Sequence, residues 1–94
     1  MVIAAPSVDF DASRAWALSS EVSLRDEAFG ALAYHHGTRR LVFLKSPELV
    51  TLVRALGSFD SVNDALDAHV DAPQRARYYA ALAALQRSDL LRVR

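Results

Sequence analysis

The sequence predicts an α+β fold in which a three-stranded antiparallel sheet is followed by three helices. Three observations predict it. Polar and apolar residues alternate strictly over residues 21–25, the period of a half-buried strand. Two further strand-like segments follow, around a Gly-containing turn at residues 36–39. From Ser46 onward, apolar residues recur at helical spacing behind capping residues.

Taken in order, residues 1–12 are small, polar or acidic and include a Pro. They are expected to form a flexible N-terminal arm, with the domain proper over residues 13–94. Residues 13–18 hold the only Trp, Trp16, and are expected to make a single turn anchored by its ring. The first strand is Glu-Val-Ser-Leu-Arg at 21–25. The second, at 29–35, is apolar and aromatic, with Gly30 allowing a bend or bulge. Gly37 is expected to supply the positive φ of the next turn. The third strand is Arg40, Leu41, Val42, Phe43 and Leu44, apolar on both faces.

Ser46 is a good N-cap, Pro47 suits the first helical position and Glu48 complements the helix dipole. Leu49, Leu52, Val53 and Leu56 then share one face, and Gly57 is expected to end the helix as a left-handed cap. Ser61 with Asp64 opens a second helix whose buried face is Val62, Ala65, Leu66 and Val70. A third helix is expected to start at Asp71-Ala72-Pro73. It carries Tyr78, Ala81, Leu82 and Leu85 on one stripe and ends near Ser88-Asp89, with Leu90 and Leu91 folding back on the core.

Composition narrows the function. The chain has 94 residues and a mass of 10.3 kDa, which suits one domain. Of these, 17 are Ala, so the 52% hydrophobic content fills less core than it suggests, and a deep catalytic pocket is not expected. There is no Cys, which excludes disulfides, thiolate metal sites and a Cys nucleophile and fits a cytoplasmic protein. No apolar run reaches the roughly 20 residues of a membrane span, and the start does not read as a signal peptide. His35 and His36 point to opposite faces and His69 is remote, so they read as ordinary turn or surface residues rather than metal ligands. The acidic groups Asp9, Asp11, Asp26 and Glu27 fall in the arm and turns. Neither a Ser-nucleophile motif nor a phosphate-binding Gly loop is present. The chain is expected to be no enzyme, with no cofactor and no metal.

Lys plus Arg and Asp plus Glu total 11 each, which disfavours a nucleic-acid binder. Within that balance the last 22 residues carry a net +4, and Arg39, Arg40 and Lys45 flank the third strand. An apolar strand at a sheet edge is a liability unless something pairs with it. One reading makes Arg40–Leu44 a docking edge, to which an extended peptide adds as a further strand. The other makes it a buried central strand, and both stay open at this level. Tyr79 falls near Arg75, Ala83 and Gln86 on the third helix, a flank able to line a groove.

Three strands then three helices in a chain this short is a winged-helix-like plan. Within it, Arg14-Ala15-Trp16, Val22-Ser23-Leu24-Arg25, the run from Phe29 to Leu49 and the stretch from Ala80 to Leu91 carry a resemblance. They are similar to the small peptide chaperones of the mycofactocin system, relatives of the PqqD-like RiPP recognition elements. Lys45-Ser46-Pro47 departs from the Asn-containing turn common in PqqD-like members.

The resemblance implies a non-catalytic protein that holds the leader of a ribosomally made precursor peptide and presents its core to a radical S-adenosylmethionine maturase. It implies a leader lying antiparallel to the third strand, between that strand and the third helix. Carried onto this chain, the site is Arg40, Leu41, Val42, Phe43 and Leu44 with Arg75, Tyr79, Leu82 and Gln86, and Arg87 adds a further cation. A monomer, bound neither to nucleic acid nor to a membrane, is expected. The alternative is a winged-helix DNA-binding domain with Arg39 and Arg40 on its wing, although Asp64 and Asp67 make the second helix a poor groove reader.

Overall fold

The structure is a computed structural model, and it describes residues 10–94. The arm expected over residues 1–12 therefore lies, up to residue 9, outside the described residues. Residues 10–12 sit against the domain: Phe10 is buried, and the Asp11 carbonyl accepts a hydrogen bond from Trp16 Nε1 at 2.9 Å.

Three antiparallel strands form the main sheet. β2 is Val22–Glu27, β3 is Gly30–His35 and β4 is Arg40–Leu44, and they lie in the order β2-β3-β4. The three helices α1 (Pro47–Ala55), α2 (Val62–His69) and α3 (Arg75–Arg87) follow in sequence. The predicted α+β class and its three strands and three helices are thus present. A second sheet was not foreseen. β1 (Trp16–Leu18) pairs antiparallel with β5 (Leu91–Val93), in the register Trp16↔Val93 and Leu18↔Leu91. The segment expected to form a single turn around Trp16 is therefore a strand. Its backbone bonds are met by a partner more than 70 residues away, which no local pattern discloses.

The inner face of β3 carries Ala31 and Ala33, both without exposed surface. Small side chains there let α1 pack close to the sheet. Leu52, Val53 and Leu56 from α1 and its end, Val62, Ala65 and Leu66 from α2, and Leu82 and Leu85 from α3 complete the core with Leu44, Leu90 and Leu91. Each large apolar side chain buried this way contributes about 1.5–3 kcal/mol before entropy costs. Ser46 and Ser61 cap as expected, accepting from the Leu49 and Asp64 amides at 3.1 and 3.0 Å.

Three local expectations are corrected. Gly57 is not a left-handed cap. α1 runs on through a right-handed Leu56 into a short 3-10 turn over Leu56–Ser58, because the Phe59 amide finds the Leu56 carbonyl. The positive φ of the β3–β4 turn is carried by Arg39, at 64°, rather than by Gly37. The reason is a side chain: buried His35 turns Nδ1 toward the Gly37 and Thr38 amides, accepting from both at 3.1 and 3.0 Å, which shapes the turn around itself. Finally, residues 72–74 form a 3-10 turn ahead of α3, which itself begins at Arg75.

Candidate functional site

Among the described residues β4 pairs with β3 on one side only, so it is an edge of the main sheet. The open choice between a buried central strand and an edge is settled by this pairing. Its pleat sorts the side chains in two. Leu44 is buried and Val42 half-buried, both directed at the core. Leu41 and Phe43 point the other way and are each 54% exposed, while Arg40 is exposed at the strand's start. The strand thus hydrogen-bonds to β3, has no strand on its other side among the described residues and shows two large apolar side chains.

Gly30 fixes where the far end of β4 sits. Its φ is +147°, and a Cβ there would lie 2.1 Å from the Leu44 carbonyl oxygen. Only glycine permits this approach. The approach brings the β2–β3 turn against the end of β4, so that Phe29 meets Phe43 edge to face with ring centroids 6.0 Å apart. Phe29, Phe43 and Lys45 line an apolar pocket of about 410 Å³. A second cleft, of about 490 Å³, opens on the other side of Lys45. The Lys45-Ser46-Pro47-Glu48 turn forms one wall, and Asp71, Gln74, Arg77 and Tyr78 form the wall opposite.

The electrostatics follow from what is already paired. Among the described residues the ion pairs are Arg25–Glu27, Arg54–Asp26 and Arg75–Asp67, and none involves Arg39, Arg40, Lys45 or Arg77. The edge strand is therefore bracketed by uncompensated cations. Two carboxylates are held below their ordinary pKa. Asp11 is lowered by hydrogen bonds from the Ser13 hydroxyl and amide, and Glu48 by its own backbone amide and the Ser46 hydroxyl. Both are turn and cap features. No group of three or more potential metal ligands exists among the described residues.

The expected site residues on β4 lie together on the edge, but those on α3 are disposed differently. Arg75 turns to α2, pairing with Asp67 and donating to the Asn63 side-chain oxygen at 2.9 Å. The Tyr79 hydroxyl donates to the Phe10 carbonyl at 2.6 Å, and its ring packs on Phe10. Leu82 is wholly buried, and Gln86 is half-buried. This stripe faces α2 and the chain around residue 10. The neighbouring stripe, with Arg77 and Tyr78, reaches the cleft beside Lys45. Sequence reasoning missed Phe29, Lys45, Gln74, Arg77 and Tyr78 as site candidates. The hairpin register held the cue for Phe29, since any antiparallel β3–β4 pair sets the start of β3 beside the end of β4. Nothing in the sequence tells which side of α3 meets the cleft.

Comparison with known proteins gives a consistent picture. The model of the Peptide chaperone MftB family matches residues 15–92. The "Peptide chaperone MftB" of Mycobacterium ulcerans is 43% identical over 83 residues, covering 87% of this chain and 76% of that protein. The protein of the same name in Mycobacterium tuberculosis is 40% identical over 88 residues, covering 93% and 81%. That of Mycolicibacterium smegmatis is 41% identical over 88 residues, covering 93% and 86%. No solved structure matches the chain.

Proposed function

Because the chain belongs to the Peptide chaperone MftB family, we propose that it binds the leader of a ribosomally made precursor peptide and presents that precursor to a radical S-adenosylmethionine maturase in mycofactocin biosynthesis, within the cytoplasm. A peptide chaperone's role is non-catalytic, and the chain is read as no enzyme. The observation that carries the leader-binding reading is the edge position of β4, with Leu41 and Phe43 exposed beside a backbone edge that no other strand pairs among the described residues. An extended peptide satisfies that backbone and covers those side chains at once.

In this reading the leader pairs along Arg40–Leu44. Main-chain hydrogen bonds supply affinity, and Leu41 and Phe43 supply apolar contact. Arg40, Lys45 and Arg77 draw carboxylates through charge-assisted contacts. Val42, Leu44 and Leu82 support the site from the core. Arg75, Tyr79 and Gln86, expected beside the leader, lie on the stripe of α3 that faces α2 and Phe10, so in this reading they hold α3 in place rather than contact the strand-bound segment. Holding the leader keeps the core peptide at high effective concentration near the maturase. The exposed Asp64 and Asp67 on α2 supply no positive surface for the DNA-binding alternative, which favours the peptide.

The test is calorimetric titration of the protein with the synthetic leader of the short precursor encoded beside its gene. Saturable one-to-one binding is expected. Absence of binding, both alone and with the maturase present, overturns the proposal.

A further inference from the structure

The face of the main sheet turned away from the helices has a continuous apolar row. Phe29 is 42% exposed at the β2–β3 turn, next to exposed Phe43 and Leu41. Leu32 and Tyr34, half-buried, stand opposite Phe43 and Leu41 on β3. Lys45 follows Leu41 and Phe43 at the period of two, so it continues the row on the same side. Lys45 lines the pocket, and its ammonium has no ion-pair partner among the described residues.

The same charges decide what can occupy this edge. If β4 paired with a second copy of itself, antiparallel and centred on Val42, Leu41 would face Phe43 favourably. Arg39 of each copy, in the turn just before β4, would then come near Lys45 of the other, just past its end, at both ends of the pair. Like charges directly opposed across strands are destabilising. The cations that bracket β4 thus oppose self-pairing and favour a guest bearing carboxylates. Cross-strand neighbours stand about 4.5–5.5 Å apart at Cβ, within reach of a lysine.

Resting on the chaperone reading, we propose that the Phe29–Phe43–Lys45 pocket is the subsite that selects the leader, and that it takes a segment of the form acid–x–apolar–x–apolar, read from its N-terminus. In an antiparallel guest the acid faces Lys45, and the two apolar side chains cover Phe43 with Phe29 and then Leu41. The intervening residues point to the other face of the new strand, toward the cleft edged by Arg77 and Tyr78.

The experiment is a charge-swap titration with the synthetic leader at low salt. Each acidic leader residue is replaced by Lys in turn, against wild-type protein and against Lys45→Glu, with Phe29→Ala run beside them. Melting curves certify that each variant is folded, and sedimentation that each is titrated at a concentration where it is monomeric. Lys45→Glu is expected to weaken the unmodified leader about threefold to fivefold, the range of a partly exposed ion pair. One leader variant, with Lys two residues before an apolar–x–apolar pair, is expected to restore affinity for Lys45→Glu and for no other acid position. Phe29→Ala is expected to weaken binding about fivefold. If the wild type binds the leader but no swap rescues Lys45→Glu, or folded Phe29→Ala binds like the wild type, the subsite is wrong while the chaperone reading stands. If the leader does not bind the wild type even with the maturase present, both fall together.

Discussion

Phe43→Ala and Leu44→Ala, adjacent on one strand, should fail in opposite ways. Phe43 is 54% exposed and Leu44 only 2%. A Phe has about 150–250 Å² to bury, so about 100 Å² of Phe43 stays open to a guest. At about 25 cal/mol/Å², a leader that covers half to all of it gains about 1.2–2.5 kcal/mol. Phe43→Ala should therefore weaken leader binding about 8- to 70-fold. Its cost to the fold is the Phe29 contact, a pair of a kind that contributes about 0.5–1.5 kcal/mol, together with the part of the ring already buried against β3. Leu44→Ala removes a packed core side chain and should cost about 2–5 kcal/mol of stability. For a domain of this size that lowers the melting temperature by at least about 8 °C. Calorimetric titration gives the first number and thermal unfolding the second. Folded Phe43→Ala and Leu41→Ala proteins that both bind the leader with wild-type affinity would refute the assignment of the edge strand.

Other consequences can be tested without the leader. Gly30→Ala sets a Cβ 2.1 Å from the Leu44 carbonyl at a φ of +147°. It should destabilise the β3–β4 hairpin by more than the few tenths to about 1 kcal/mol of an ordinary glycine exchange, visible as a lower urea midpoint. Lys45→Glu places unlike charges opposite each other in a self-paired β4 and should raise the dimer fraction in sedimentation, whereas Lys45→Gln should raise it less. Ser46→Ala and Ser61→Ala each remove a helix cap and should cost about 0.5–2 kcal/mol in denaturant unfolding. Asp11 and Glu48 are more acidic folded than unfolded, so their contribution to stability is complete above the ordinary carboxylate range and is lost as pH falls from there through their lower folded pKa values. NMR titration should place both midpoints below those of carboxylates in an unfolded peptide.

The sequence by itself determined the elements whose signals are local. Alternation at residues 21–25 marked β2, Ser46-Pro47 and Ser61 marked two helix starts, and the spacing of Leu52, Val53 and Leu56 marked the buried face of α1. It also showed that Arg40–Leu44 is apolar on both faces with cations at its ends, because those are properties of neighbouring residues. Only the tertiary structure decided what depends on distant partners. The β1–β5 pair joins two three-residue segments too short to show a period, from opposite ends of the chain. The left-handed residue in the β3–β4 turn moved to Arg39 because the buried His35 ring claims the Gly37 and Thr38 amides. The flank of α3 beside the cleft carries Arg77 and Tyr78, since Arg75 and Tyr79 find hydrogen-bond partners on α2 and at Phe10. The edge position of β4 belongs here too. Whether an apolar strand is a core element or a docking edge depends on how many strands pair with it, and strand count is a property of the assembled sheet.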